Sequence, residues 1–227
     1  MASSRREVRK KKKAAGKGRV FRVLAAVLII AGIGVLGFGG AQRLIVSYNQ
    51  SKLRDAYDAT AGFRHMEIEE EEEIGDVYIT EWQPMRLVIP SIEVDLVAVG
   101  GGDVFDHKLL DQGPTHFQMS DLPNTEKGNV AFAGHRAGRW NFFLDLDKLN
   151  EGDEIYLDVD GYRFIYLVEW VQVYDKYDWS PIDTTDYPAI TLQTCDPPHV
   201  SNPDWRLMAR GALDRVELTP VEAPEAN

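Results

Sequence analysis

Short apolar runs separated by turn residues dominate the chain from Trp82 onward, and they predict strands rather than helices. Gly, Pro, Asn and Asp stand between the runs, as they do in the tight turns that join neighbouring strands. The predicted strands are residues 85–89, 92–99, 129–133, 154–159, 162–173, 189–194 and 206–213. Seven or eight short strands with few helical stretches are typical of an all-β sandwich or barrel.

Two stretches have helical rather than strand-like spacing. Within the strand-rich region, Phe143, Leu146 and Leu149 recur at intervals of three and predict a short helix over residues 142–149. Ahead of that region, apolar residues recur at helical intervals among polar ones over residues 44–57. We expect this second segment to form a stalk that continues a preceding helix.

That preceding helix is predicted to cross a membrane. Residues 23–42 contain no charged side chain and are rich in Val, Leu, Ile, Ala and Gly. At ~1.5 Å per residue, a helix of this length spans about 30 Å, the thickness of the hydrocarbon core of a bilayer. A cleaved signal peptide is the alternative, and Gly39-Gly40-Ala41 would suit its cleavage site. Signal peptides have shorter apolar cores, so an uncleaved anchor is favoured.

The charges are divided sharply along the chain. The net charge is -11, but residues 1–22 hold ten Lys or Arg against one acid, whereas the remainder holds 15 basic and 35 acidic residues. By the positive-inside rule, the amino terminus is predicted to be cytoplasmic and everything after Arg43 extracytoplasmic. The basic segment abuts the span, so we expect it to contact anionic membrane lipid and not nucleic acid.

An acidic block separates the stalk from the strands. Residues 67–73 include six glutamates, whose mutual repulsion predicts an extended linker. The block lacks the glycine turn and alternating ligand spacing of a calcium-binding loop. The predicted organisation is a basic cytoplasmic segment (1–22), a transmembrane helix (23–42), an extracytoplasmic stalk and acidic linker (43–81), a β-domain (82–219) and a C-terminal tail (220–227).

The only cysteine of the chain, Cys195, directly follows the predicted strand 189–194. With one cysteine there is no intrachain disulfide, and a lone cysteine is either a small buried apolar residue or a reactive thiol. Two further reactive side chains also stand at strand ends, since His135 follows the strand 129–133 and Arg206 begins another. A thiol, an imidazole and a guanidinium that converge at one rim of a barrel would suit acyl transfer.

Three ordered sequence blocks resemble the sortases, the surface cysteine transpeptidases of Gram-positive bacteria. The first block runs from Gly113-Pro114-Thr115-His116 to Gly134-His135-Arg136, the second is Thr191-Leu192-Gln193-Thr194-Cys195, and the third is Arg206. The second block matches the TLxTC pattern of the family at every fixed position. The resemblance covers roughly residues 85–213, and Cys195-Asp196-Pro197 is most similar to the class E sortases of actinobacteria.

The resemblance implies an all-β, eight-stranded sortase-type β-barrel with one or two short helices, behind an N-terminal transmembrane helix and stalk. It implies that Cys195 is the nucleophile, that His135 is the general acid and then the base, and that Arg206 stabilises the oxyanion. Thr194 is expected to position the substrate or the oxyanion, and His116 is a weaker candidate for substrate binding. No cofactor is expected, and no His, Cys and Asp set has the spacing of a zinc site.

The implied function is that of a membrane-anchored transpeptidase. It would cleave an LPxTG-type or LAxTG-type sorting signal between Thr and Gly and transfer the protein to an amine of a cell-wall precursor of the lipid II type. Its expected partners are sorting-signal-bearing surface proteins, that precursor and membrane lipid. Two alternatives remain open at this point: a hydrolytic cysteine peptidase on the same barrel, and a non-catalytic barrel that binds a surface partner.

Overall fold

The chain divides into two compact units, Met1–Ile45 and Val46–Asn227. The computed structural model describes residues 22, 24–34, 41, 43–60, 74–138 and 140–219. In the first unit, the described residues are all helical. Among the described residues, no helix is both long and apolar enough to cross a membrane.

Several predicted segments fall on other residues. The predicted transmembrane helix at 23–42 lies partly outside the described residues, and it stays a prediction. The acidic block at 67–73 and the tail at 220–227 lie outside them, as does the basic segment 1–22 apart from Arg22. The stalk helix predicted over residues 44–57 lies within residues 43–60, which are helical.

The second unit contains eight described strands, two described helices and three single turns of 3-10 helix. The strands are β1 (Met85–Ile89), β2 (Val94–Ala98), β3 (Thr115–His116), β4 (Gly128–Ala133), β5 (Glu154–Val159), β6 (Tyr162–Asp175), β7 (Pro188–Asp196) and β8 (Trp205–Leu218). The helices are α1, which denotes helical residues 46–60, and α2 (His107–Leu110). The 3-10 turns are Pro90–Ile92, Leu146–Lys148 and Ser180–Ile182.

The strands form one sheet in the order β2-β1-β5-β6-β8-β7-β4-β3. All neighbouring strands are antiparallel except β4 and β7, which run parallel. The two edges of the sheet meet where Val99, just after β2, bridges to Thr115 of β3. Val99 donates its N–H to the Pro114 carbonyl at 2.7 Å, and His116 donates to the Val99 carbonyl at 2.8 Å. These bonds make the sheet a nearly closed barrel, which removes most of its unpaired edge.

Alternation along the strands separates the barrel core from its outer face. Val130 and Phe132 of β4 lie in the main core, together with Ile190 and Leu192 of β7. Because successive side chains of a strand point to opposite faces, the odd-numbered residues of both strands face outward. The functional candidates at odd positions of β4 and β7 therefore lie on the face opposite the main core.

A second, smaller apolar cluster covers part of this outer face. We call it the outer cluster; it comprises Val104, Phe117, Ala131, Ala133 and Ile182, with Leu110 and Trp179 packed against it. The cluster brings together the β2–β3 connection, which carries α2, and the β6–β7 connection. Both connections are thereby fixed over the strand that leads to His135.

The predicted strands all appear, with differences at their ends. β2 begins at Val94 because Pro90–Ile92 forms a 3-10 turn and Glu93 takes a left-handed conformation (φ 54°). β6 and β8 are longer than predicted because they pair with each other along most of their length. β3 was not predicted, since two residues are too few to establish an alternating pattern.

The prediction of a helix over residues 142–149 is wrong. Only Leu146–Lys148 forms a helical turn, and it is of the 3-10 type. The apolar residues that suggested the helix are nevertheless buried, since Phe143 and Leu146 have no exposed surface and Leu149 has little. A spacing of three fits a succession of turns as well as a helix, and the segment is held by a bond from the Phe143 N–H to the His135 carbonyl at 3.0 Å.

Gly134 lies at the close contact between the end of β4 and this buried segment. A Cβ atom at Gly134 would stand 2.5 Å from a ring carbon of Phe143, which is fully buried. Gly134→Ala should therefore lower the free energy of unfolding by about 1–3 kcal/mol, the usual cost of overpacking a core. Denaturant unfolding of the full chain measures the loss. The control is Gly75→Ala, whose added Cβ would meet nothing within 4 Å; equal stability of the two variants would contradict the expected clash.

Candidate active site

Cys195 and Arg206 face each other across two neighbouring strands. They are direct partners in the antiparallel pairing of β7 and β8, near the end of one strand and the start of the other. Directly opposed residues of an antiparallel pair project to the same side of the sheet. Cys195 is a free thiol and is partly buried. The structure thus brings these two predicted residues together on the outer face.

His135 reaches the same place from the other side of β7. In the parallel pairing, Ala133 of β4 lies opposite Gln193 of β7. The pairing continues beyond the strand, because the Gly134 N–H donates to the Gln193 carbonyl at 2.9 Å. His135 and Cys195 each stand two residues beyond this paired level, His135 just after β4 and Cys195 within β7. The neighbouring ends of β4, β7 and β8 thus carry His135, Cys195 and Arg206 in that order across the sheet.

The Arg206 guanidinium is held by the loop that joins β7 and β8. Its Nη1 donates to the Pro203 carbonyl at 2.8 Å and to the Trp205 carbonyl at 2.9 Å. Both acceptors are neutral, so these bonds orient the guanidinium without neutralising its charge. A guanidinium carries five N–H donors in a planar fork, and two bonds to a loop do not exhaust them.

The His135 ring is bound to a carboxylate from the β2–β3 connection. Its Nε2 lies 3.1 Å from Asp111 Oδ1, and the two side chains are 22% and 38% exposed. Asp111 is the C-terminal cap of α2. Sequence reasoning did not identify Asp111, because a carboxylate 24 positions before the histidine has no motif of its own.

Thr194 lies beneath the site rather than on its surface. It is buried, and its hydroxyl donates to the Gly134 carbonyl at 2.7 Å. This bond joins the residue before the cysteine to the residue before the histidine, so it holds the two strand ends together. A direct role of Thr194 toward substrate stays a prediction, whereas its contact with Gly134 gives it a structural role.

His116 is buried in β3, away from the strand ends that carry the three candidates. Its ring stacks on Trp82 with centroids 5.0 Å apart and meets Phe132 edge-on at 5.6 Å. Its Nε2 lies 3.1 Å from the Ser120 hydroxyl and 3.2 Å from the Asp121 carbonyl. Burial lowers the pKa of His116, so the ring is neutral near neutral pH. Substrate binding by His116 stays a prediction, and these contacts account for the residue structurally.

Arg136 is the main feature of the site that sequence reasoning missed. Its side chain is only 4% exposed, and it forms ion pairs with Asp196 and with Asp147, the latter at 3.1 Å. It also approaches the Cys195 carbonyl at 3.5 Å. The available signal was that an arginine directly follows the histidine and an aspartate directly follows the cysteine.

The described residues offer no evident metal centre. Among them, no group of three or more His, Cys, Asp and Glu side chains is arranged to hold a metal ion. The side chains that converge at these strand ends are a thiol, an imidazole and a guanidinium, which can serve as nucleophile, proton carrier and cationic hydrogen-bond donor.

Comparison with known proteins identifies one family model and several relatives. Residues 87–214 match a family model described as the sortase domain. Sortase A of Listeria monocytogenes is 30% identical over 132 residues, which cover 58% of this chain and 56% of that protein. Sortase SrtE1 of Streptomyces coelicolor is 27% identical over 141 residues, covering 56% of this chain and 39% of that protein. The matched segment thus spans about half or less of each curated relative.

A solved structure gives the same picture at the level of the fold. The crystal structure of Listeria monocytogenes sortase A superposes with a TM-score of 0.51 at 30% sequence identity. The superposition covers 60% of this chain and 90% of that one. The family model runs from residue 87 within β1 to residue 214 within β8, so it covers β2 to β7, parts of β1 and β8, and each of the three candidate residues.

The Arg136 ion pairs should contribute measurably to stability. Arg136→Ala removes the countercharge of the partly buried Asp196 and opens a space beside Cys195. We expect the free energy of unfolding to fall by about 1–3 kcal/mol, less than for a fully buried pair because both carboxylates are partly exposed. Chemical denaturation of Arg136→Ala, Asp196→Asn and the double variant isolates the pairwise coupling. Strictly additive effects of the two substitutions would contradict the pairing.

Proposed function

The chain belongs to the sortase family, and we propose that it is a cysteine transpeptidase with Cys195, His135 and Arg206 as its catalytic residues. The observation that carries the proposal is the convergence of three strand ends on the outer face of the barrel. Cys195 is paired with Arg206 across β7 and β8, and His135 stands at the level of Cys195 beyond β4. A nucleophile, a proton carrier and an oxyanion donor are the groups that acyl transfer requires.

In the proposed first step, the Cys195 thiolate attacks the carbonyl carbon of the scissile amide. A C–S bond forms, and the carbonyl oxygen takes the negative charge of the tetrahedral intermediate. Arg206 donates a charge-assisted hydrogen bond to that oxygen. His135, as imidazolium, gives its proton to the nitrogen as the C–N bond breaks. The products are a thioester on Cys195, a free amine and a neutral imidazole.

The second step reverses these roles toward a different amine. The acceptor amine attacks the thioester carbonyl, and the neutral imidazole of His135 takes the proton that the amine loses. Collapse of the second tetrahedral intermediate expels the Cys195 thiolate and restores the starting charges. Water in place of the amine would give hydrolysis through the same thioester, so the cysteine peptidase alternative differs only in the acceptor.

The proposed substrate is a C-terminal sorting signal of the LPxTG or LAxTG type, cleaved between Thr and Gly. The proposed acceptor is an amine of a cell-wall precursor of the lipid II type. Both assignments follow from the sortase resemblance of the Thr191–Cys195 and Gly134–Arg136 blocks.

The proposed location is the outer face of the cell membrane of a Gram-positive bacterium. Residues 23–42 would anchor the protein as a single span, with the basic residues 1–22 in the cytoplasm and the barrel outside. The division of charge along the sequence supports this topology, because a basic segment precedes the apolar one and an acidic region follows it.

The thioester mechanism makes a direct prediction about products. The full chain, incubated with a fluorogenic LPxTG or LAxTG peptide, should release the Gly fragment, and an added glycine-type amine should appear joined to the Thr fragment. Mass spectrometry of the products with and without the amine separates transfer from hydrolysis. Cys195→Ala should reduce cleavage to background because the nucleophile is removed. Full cleavage by this variant would contradict the mechanism. If the unmodified chain gives only the hydrolysis product in the presence of the amine, the cysteine peptidase alternative is favoured.

The oxyanion role of Arg206 predicts a graded loss of activity. Arg206→Ala should lower kcat/KM by about 100- to 1000-fold, the usual effect of removing an oxyanion donor. Arg206→Lys should retain somewhat more, because the charge survives but the planar fork does not. The matched control is Arg215→Ala on the same strand, an exposed arginine that pairs with surface carboxylates. Equal kcat/KM for Arg206→Ala and the control would remove Arg206 from the mechanism.

A further inference from the structure

The contact between Asp111 and His135 joins two distant parts of the chain at the candidate site. Asp111 caps α2 in the β2–β3 connection, and its Oδ1 lies 3.1 Å from the Nε2 of His135. The carboxylate thus reaches the imidazole from outside the three strands that carry His135, Cys195 and Arg206.

The segment that carries Asp111 is held in place by bonds on both sides. Asp106 caps the start of α2 by accepting from the Lys108 N–H at 2.9 Å, and the Asp111 N–H donates to the His107 carbonyl at 2.9 Å. Leu110, the residue before Asp111, packs against the outer cluster. The backbone around Asp111 is therefore fixed by local hydrogen bonds and by apolar packing.

Helix α1 adds a third restraint on this segment. The Gln50 side chain donates to the Gln112 carbonyl at 2.7 Å, directly after Asp111. The same amide also pairs with the edge strand β2, accepting from the Val97 N–H at 2.9 Å and donating to the Val97 carbonyl at 3.2 Å. A Cβ at Gly113 would stand 2.6 Å from Gln50 Nε2, so the contact is close. The Gln50 amide thus links the segment after Asp111 to the edge strand β2 through hydrogen bonds.

The charges that face His135 come from several elements. The β2–β3 connection supplies Asp111, the end of β7 supplies the Cys195 thiol, and the start of β8 supplies the Arg206 cation. The neighbouring Arg136 directs its charge toward Asp196 and Asp147. Asp111 is therefore the group in this set that favours a positive charge on the imidazole, against the opposing effect of Arg206.

We propose that Asp111 is a positioning residue, which fixes the orientation of the His135 ring and stabilises its imidazolium form. The inference rests on the proposed function, in which the imidazolium gives its proton to the leaving amine. The proton passes from His135 to that nitrogen as the C–N bond breaks, and Asp111 neither gives nor takes it. A carboxylate in this place raises the fraction of the enzyme that is ready for the first step.

The test follows the His135 ring itself and does not depend on turnover. The full chain has five histidines, and loss of one ring resonance in His135→Gln assigns the signal of interest. In an NMR pH titration, the midpoint of the His135 signal should fall by about 0.5–1 pH unit in Asp111→Asn, because the ionised partner is lost. Asp111→Ser serves the same test should the amide disturb the turn, and thermal unfolding reports the fold of each variant.

The matched control is Asp106→Asn, which removes the same charge from the other end of α2 while an asparagine still caps the helix. Its His135 midpoint should stay close to that of the unmodified chain. An unchanged midpoint in Asp111→Asn overturns the proposal, as does an equal fall in both variants, which would indicate a general charge effect.

Activity gives the second readout. Asp111→Asn should lower kcat about 3- to 10-fold with little change in KM, and the limb of the pH–rate profile that requires imidazolium should move to lower pH. Asp111→Glu, which keeps the carboxylate, should recover part of the loss. A rise in KM alone overturns the proposal in favour of a substrate contact.

If the unmodified chain cleaves no sorting peptide, the proposed function fails, whereas the NMR titration still decides the role of Asp111.

Discussion

The parallel pairing of β4 with β7 is the constraint on which the candidate site depends. Every other neighbouring pair in the sheet is antiparallel, but only parallel strands end on the same side of a sheet. The register that places Ala133 opposite Gln193 carries His135 to the level of Cys195. A slip of one residue would turn His135 to the other face, since side chains alternate along a strand. The proposed chemistry therefore requires this one register.

Buried polar contacts secure that register at the end where it matters. The Thr194 hydroxyl donates to the Gly134 carbonyl at 2.7 Å, and Arg136 pairs with Asp196. Both contacts join the β4 terminus to the β7 terminus, one immediately before and one immediately after the reactive residues. Because buried polar groups are costly when they lose their partners, each contact penalises a slipped or splayed arrangement. The TLxTC pattern is thus explained in part as packing, with Thr194 supporting the strand ends beneath the thiol.

The sequence predicted the strands well, because strands produce local signals. Alternation and turn residues mark β1, β5 and β7 directly, and the ordered blocks around His135, Cys195 and Arg206 identify the family. The features that the sequence did not predict have no local signal. Residues 142–149 carry the spacing of a helix, but their burial against the barrel selects turns instead. Asp111 becomes a partner of His135 only through the course of the β2–β3 connection, which no pattern in the strand sequences encodes.

The three basic side chains around the thiol differ in the groups that they contact. The region after residue 22 is strongly acidic, yet three basic side chains gather at these strand ends. Two of them contact carboxylates, since Arg136 pairs with Asp196 and His135 contacts Asp111. Among the described contacts, Arg206 instead donates to the neutral carbonyls of Pro203 and Trp205.

This difference suits the separate demands that the proposed reaction makes on Arg206 and His135. The loop carbonyls fix the position of Arg206, and the nearest carboxylate in that loop, Asp204, is hydrogen-bonded to Lys176 and interacts with Arg206 only through its charge. A carboxylate beside His135 is useful, because it favours the protonated ring that the leaving amine requires in the proposed mechanism. Neither effect depends on the overall acidity of the domain, since ionic strength screens distant charges far more than groups in contact. The acidic surface can therefore vary while the local pairing at the strand ends preserves the chemistry.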